Sequence, residues 1–322
     1  MANEIAKINT IAIASIAKLN GITEANVAKL NTLIALSIVL KNAIFGYGYV
    51  GPNVSMTNLV SGTGVVAADT TGVGSARRYL GAAGYGGDKA IFGYGLTAGI
   101  VNMTNLVSNT GVTAGDTSGV GAHRWLLAAA GYGTDKAIFG YGYNGSNVSM
   151  TNKVSNTGVV AADTAGVGSA RRILTAAGYG TDKAIFGYGY VSGPVSMTNK
   201  VSNSGVVALD TTGVGTARYG LAAAGYGTDK AIFGYGFSSG GVASITNKVT
   251  NTGVVAGNTT GVGTARNGIG AAGYGADLAI FGYGTAGGNH SLTNKVSNSG
   301  VVATDTTGVG TARHALAAAS YG

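Results

Sequence analysis

The sequence predicts an all-β fold, a six-bladed β-propeller, and three observations predict it. First, AIFGYG begins at Ala43, Ala90, Ala137, Ala184, Ala231 and Ala279, at intervals of 47, 47, 47, 47 and 48 residues, and a fixed period in that range marks a solenoid, propeller or array. Second, each unit divides into four strand-length segments bounded by Gly, Asn, Ser or Asp-Thr clusters, enough short strands for one blade. Third, the ends of the repeat region complement each other. The first unit begins with its second strand, Lys41 to Gly48, and the last finishes with a first strand, His314 to Gly322. Pairing the two would complete a sixth blade and close the ring between the N- and C-terminal strands, whereas a solenoid would need polar capping repeats.

Two regions follow from this spacing: 1–40, of a different character, and the repeats over 41–322. Residues 5–34 carry a shorter repeat, IAKINTIAIAS, IAKLNGITEAN and VAKLNTLIALS. An eleven-residue period keeps one apolar stripe aligned if the chain is helical, and Ile5, Ile8, Ile16, Leu19, Val27 and Leu30 form that stripe. Asn20-Gly21 reads better as a cap or turn, so short helical turns or an extended eleven-residue repeat both remain open. An apolar face this narrow needs a partner to bury it. Residues 1–40 are therefore expected to anchor the protein to other subunits, its own or another's, with a homo-oligomer the simplest result.

Within a unit, the AIFGYG segment alternates with the period of two of a strand. The alternation sets Ala184, Phe186 and Tyr188 on one face and Ile185, Gly187 and Gly189 on the other. The expected packing sets the large residues of one blade against the glycine-bearing face of the next. The small segment Leu221 to Gly227, LAAAGYG, is read as the innermost strand, where backbones crowd and small side chains are required; a helix-containing solenoid is the competing reading.

Composition excludes several classes. Only 10% of the residues are charged and 45% are hydrophobic, the reverse of a disordered chain. The formal charge of +8 is spread, with no basic run beyond Arg77-Arg78 and Arg171-Arg172, so no nucleic-acid partner is expected. The longest apolar run near the start, Leu33 to Leu40, is far shorter than the roughly 20 residues of a membrane helix, and no cleavable export signal is expected. With no cysteine there is no disulfide, thiolate metal site or cysteine nucleophile. His123, His290 and His314 fall at different places in their units, so no metal site and no cofactor are expected.

Repetition itself argues about function. Asp88, Asp135, Asp182, Asp229 and Asp277 precede the AIFGYG strand, and Asp69, Asp116, Asp163, Asp210 and Asp305 sit in the Asp-Thr turn, with Asn258 in one copy; a role repeated in nearly every copy is what a turn demands. Arg77, Arg124, Arg171, Arg218, Arg266 and Arg313 are expected to form a structural ring of six, each clamping one unit to another, with the Asp of a neighbouring turn as a candidate partner. No unique acid, base or nucleophile stands out, so the protein is expected not to be an enzyme. The loops after AIFGYG, Tyr49 to Asn53, Leu96 to Ile100, Tyr143 to Asn147, Tyr190 to Pro194, Phe237 to Gly241 and Thr285 to His290, differ between near-identical units. Loops on a rigid scaffold are where binding resides, which makes Tyr49, Asn53, Tyr143, Asn147, Tyr190, Phe237 and His290 the candidate ligand or partner residues.

The order TAR, a variable pair, a small apolar strand, a short polar turn, an IF-G-Y-G strand, a variable loop and a strand ending in Asn-Thr-Gly resembles the kelch repeat over all six units. That resemblance implies a kelch-like β-propeller. Phe-Gly-Tyr-Gly stands where kelch repeats carry a double glycine, and the usual tryptophan of the fourth strand is missing, Trp125 lying elsewhere in its unit. Near-identical Gly-, Asn- and Thr-rich units behind an IAKLNG-type tail also resemble bacteriophage virion proteins, such as capsid decoration or tail-fibre components. This resemblance implies a virion surface protein with the propeller outward and 1–40 as attachment. The alternative is a lectin-like, extracellular or cell-surface module that binds glycans through the variable loops.

Overall fold

The computed structural model describes residues 40–322. The expected anchor face, Ile5, Ile8, Ile16, Leu19, Val27 and Leu30, lies outside the described residues. Among the described residues the fold is all-β, with no helix and seven antiparallel three-stranded sheets.

Six of the sheets repeat one plan. In the second unit the small segment Gly81–Tyr85 pairs with Lys89–Leu96, which pairs with Ile100–Val107. The first unit takes its small strand from the far end of the chain, because Asn42–Tyr49 pairs with Asn53–Val60 on one side and with Ala317–Tyr321 on the other. The seventh sheet, Arg218–Tyr219 with Phe237–Ser238 and Gly241–Val242, arises in the fifth unit. One extra residue follows AIFGYG there, the long strand stops at Gly234, and its continuation forms a separate ladder.

The small strands adjoin one another in sequence. Gly81–Tyr85 lies beside Ala128–Tyr132, and the series continues through Thr175–Tyr179, Ala222–Tyr226, Gly270–Tyr274 and Ala317–Tyr321. Ala317–Tyr321 lies beside Gly81–Tyr85 again. Alanine and glycine fill these strands because backbones approach closely there. A Cβ at Gly131 or Gly178 would meet the carbonyl oxygen of the preceding strand at 3.2 and 3.3 Å.

Two expectations are corrected. The fourth segment of each unit is not a paired strand. It touches the third only at isolated bridges such as Val60↔Val66 and Thr57↔Thr70, because its glycines and Asp-Thr turn interrupt the ladder. The alternation of AIFGYG also breaks at its tyrosine. Tyr188 has φ 61°, and the pairing register slips between Gly187 and Gly189. This is a β-bulge, which turns a side chain to the other face. Tyr188 therefore joins Ile185, not Phe186.

The bulge sets how units pack. Phe186 meets Tyr141 of the preceding unit, and Tyr188 meets Phe233 of the following one, each edge to face at 5.1 Å. Gly187 receives the same Phe233, since a Cβ there would come within 2.7 Å of its ring. Each interface thus has its own core cluster, in which Ile185, Tyr188, Leu221, Phe233 and Val249 are buried together. Edge-to-face aromatic pairs add about 0.5–1.5 kcal/mol each beyond area burial.

Candidate binding face

The six arginines are fully buried, and each reaches from its own unit into the next. Arg171 lies over the Tyr141 ring of its own unit at 4.4 Å. Its Nε donates to the carbonyl oxygen of Tyr188 at 2.9 Å and its Nη2 to Asn199 Oδ1 at 2.7 Å, both in the following unit. Nη1 donates to Ser169 O at 3.2 Å and stands 3.8 Å from Asp210. Asn199 is held in turn, donating to Asp210 Oδ1 at 2.9 Å. Arg313 makes the same set with Tyr47, Asn58 and Asp69 of the first unit. Arg218 alone faces an asparagine, Asn258, where the others face a carboxylate. Arg124 keeps the Nη bonds, but its Nε has no hydrogen-bond partner. With no exposed surface, the six guanidiniums are out of a ligand's reach.

Burial raises the Tyr141 hydroxyl to about 12, with the Arg171 charge opposing. It also pulls the Arg171 guanidinium below its usual value, against the pull of Tyr141 and Asp210. Asp210 loses some acidity through burial, but hydrogen bonds from Ser169 and Asn199 and the charge of Arg171 outweigh this and leave its carboxyl lowered.

The variable pair after each arginine lies beside the variable loop of its neighbour, which the sequence spacing alone did not reveal. Arg78 bridges to Leu96, Trp125 to Tyr143, Arg172 to Tyr190, Asn267 to Thr285 and His314 to Tyr49, while Tyr219 pairs with Phe237. The two stretches in which the units differ most thus meet on one face, at the start of the small strands.

On that face the side chains form a continuous arc. His314 meets Tyr49 at 5.6 Å, and Arg78 lies over Tyr49 at 4.4 Å and over Tyr79 at 6.0 Å. Tyr79 meets Trp125 at 5.4 Å and Trp125 meets Tyr143 at 6.4 Å. Arg172 lies between Tyr143 and Tyr190, 4.8 and 5.2 Å from their centroids. Tyr190 meets Tyr219 at 5.4 Å, and Tyr219 meets Phe237 at 5.5 Å. All of these residues are half-buried, so each keeps an open surface. Asn53 and Asn147 support the arc from behind. Asn53 donates to the Leu96 carbonyl and accepts from Arg78, and Asn147 donates to the Val191 carbonyl and accepts from Arg172. The sixth unit, with Asn267, Gly268, Thr285 and Asn289, leaves the arc open. His290 is not part of it. Its Nε2 is enclosed without a hydrogen-bond partner, as is Trp125 Nε1.

Inside the arc lies a cup of about 170 Å³, lined by Tyr79, Leu126, Ile173, Gly220, Gly268 and Ala315 among others. These six positions are joined by backbone bonds. Leu126 N–H donates to Tyr79, Ile173 to Leu126, Gly220 to Ile173, Gly268 to Gly220, Ala315 to Gly268 and Tyr79 to Ala315. All have positive φ, including Tyr79 at 53°, Leu126 at 58° and Ile173 at 56°. For a β-branched residue this is a true outlier, and such strain costs on the order of 1–3 kcal/mol. Two units use glycine here, so the backbone does not require the side chains that the four others impose on it.

The far end of the small strands is chemically plainer. A cavity of about 260 Å³ there is lined by Lys41, Lys89, Lys136, Lys183 and Lys230. The last four are paired with the preceding aspartate at 2.7–3.0 Å. Among the described residues no group of three His, Asp or Glu side chains could hold a metal ion. His123 Nδ1 lies 3.0 Å from the Ile100 carbonyl and His314 Nδ1 lies 2.7 Å from Asn289 Oδ1.

Comparison with protein-family models and with curated proteins finds no match to this chain.

Proposed function

We propose that residues 41–322 form a closed six-bladed β-propeller that serves as a non-enzymatic recognition module, binding saccharide on the face where the variable pairs and loops meet. Support for closure comes from three sets of contacts: Ala317–Tyr321 paired with Asn42–Tyr49, Arg313 bonded to Tyr47 and Asn58, and Tyr79 N–H donating to Ala315. A closed barrel of blades has only short outer edges to protect and holds its loops rigidly.

The observation that carries the binding reading is the arc from His314 to Phe237. Six identical blades need no such arc for stability, as the sixth unit does without it. Sugars present an apolar C–H face to an aromatic ring and hydroxyls at the rim, and the arc offers Tyr79, Trp125, Tyr143 and Tyr219 as platforms with Arg and Asn donors beside them. Tyrosine and tryptophan supply large rigid contact area at low conformational cost, and tryptophan, tyrosine and arginine dominate binding hot spots. Residues 1–40 are proposed as the attachment to a virion or to further copies of the chain, which would set many such faces side by side and raise avidity.

Retention of the full chain on a saccharide array tests the reading. Binding is expected, with loss on Trp125→Ala or Tyr143→Ala at unchanged melting temperature. No retention on any saccharide, or retention that survives both substitutions, refutes it.

A further inference from the structure

We infer that the saccharide recognised by this face is acidic, a uronate-bearing polysaccharide whose carboxylates are taken by Arg78 and Arg172. The inference rests on the saccharide reading above and names the ligand class.

These two guanidiniums differ from the buried six in every respect that matters for a ligand. Both are half-buried, and each lies between two aromatic rings, Arg78 between Tyr49 and Tyr79 and Arg172 between Tyr143 and Tyr190. A ring stacked on a guanidinium covers a flat face and leaves its in-plane N–H groups, which are the ones that bind a planar carboxylate two at a time. Very few of those donors are used within the protein. Arg78 Nη1 reaches Asn53 Oδ1 at 3.4 Å and Arg172 Nη1 reaches Asn147 Oδ1 at 3.3 Å, both long bonds. Among the described residues neither arginine forms an ion pair.

Among the described residues the carboxylates stand elsewhere, Asp277 in the cavity at the far end of the small strands. Asp69, Asp116, Asp163, Asp210 and Asp305 stand against the buried arginines. Asp88, Asp135, Asp182 and Asp229 pair with lysines at the far end of the small strands. The arc therefore presents two unneutralised, geometrically fixed cations. Between them in the arc come Tyr79, Trp125 and Tyr143, so the order is cation, aromatic platform, cation. A chain of sugars with a carboxylate on its rings matches that order, one sugar face on Trp125 and a carboxylate at either side. A neutral glycan would leave both forks unmet.

The test uses the full chain with oligogalacturonate and, as a neutral counterpart of the same backbone, its methyl ester. The acid form is expected to bind about tenfold or more tightly than the ester, the range set by hydrogen bonds to charged groups. Arg78→Gln and Arg172→Gln should each remove most of that preference, the acid form losing far more affinity than the ester. Arg78→Lys keeps the charge and loses the planar fork, and should recover only part of the binding. Lys153→Gln with Lys200→Gln removes twice the charge of either arginine variant, away from the arc, and should leave the preference intact. Equal binding of acid and ester overturns the inference and leaves the saccharide reading standing. Equal loss from the lysine pair also overturns it, since attraction would then follow net charge. Failure to retain any saccharide, acidic or neutral, overturns both.

Discussion

Replacing Arg171 by methionine removes one clamp between units while keeping most of the apolar stem that crosses the interface. The buried carbonyl of Tyr188 and the buried Oδ1 of Asn199 each lose their donor, and Ser169 O loses a partly exposed one. A buried acceptor left unsatisfied costs about 1–3 kcal/mol. Asp210 is partly exposed, and such a pair contributes no more than about 1 kcal/mol. Removing the guanidinium also removes its own desolvation cost, which offsets part of the loss, and the two stranded acceptors with the partly exposed pair leave about 3–5 kcal/mol. The expected loss is about 4 kcal/mol, which at roughly 2 °C per kcal/mol for a domain of this size lowers the melting temperature by about 8 °C. Urea unfolding of parent and variant at equal slope measures it directly. A loss under about 1 kcal/mol would refute the clamp as the element joining adjacent units.

Three further outcomes follow from the same contacts. Asn258→Asp gives Arg218 the carboxylate its five counterparts have, and should stabilise by a few tenths to about 1 kcal/mol, read as a higher urea midpoint; no gain would mean that the pairing contributes nothing. Ile173→Gly should leave stability within about 1 kcal/mol of the parent, because relief of a positive φ offsets the lost apolar contact and the added chain entropy; a loss of about 3 kcal/mol, ordinary for a truncated core residue, would show that no strain is held there. Acid should act in two stages. Burial, with the Arg78 charge adding to it, holds His314 below its usual 6.5, so stability is full above that value and falls as pH drops through the lowered one. Asp69, Asp116, Asp210 and Asp305 are lowered from 3.8, because hydrogen bonds and arginine charge outweigh burial, so their share is kept until pH falls below 3.8 and is lost through their lower values. His314→Gln should abolish the first stage only, and persistence of that stage would assign it elsewhere.

Much of the scaffold was legible in the sequence, because period and alternation report directly on strands. The 47-residue spacing located the repeating sheets, and the small residues of LAAAGYG were read as strand on crowding grounds although their propensity permits a helix. The bulge at Tyr188 was not legible, since Tyr-Gly after Phe-Gly continues an alternating pattern and only backbone dihedrals reveal the turn of the side chain. The missing fourth ladder had a signal in its run of glycines and Asp-Thr, which the strand count overrode. For the site, the loop residues Tyr49, Asn53, Tyr143, Asn147, Tyr190 and Phe237 were identifiable as the varied positions of a constant unit. Their partners Arg78, Trp125, Arg172, Tyr219 and His314 were visible as a variable pair but not as part of the same face. They lie 18 residues from the loop residues they join in cases such as Arg78 and Leu96 or Trp125 and Tyr143, and only the fold brings them together.

The account stands most directly on whether recognition resides in the varied face. The fold already tolerates Asn267-Gly268 at the variable pair, so a chain with that Asn-Gly pair at 78–79, 125–126, 172–173, 219–220 and 314–315 as well keeps the scaffold and erases the arc. Saccharide retention by this chain, measured beside its melting temperature, is the decisive comparison. The account predicts a melting temperature close to that of the parent and no retention. Undiminished retention on an intact scaffold would contradict it.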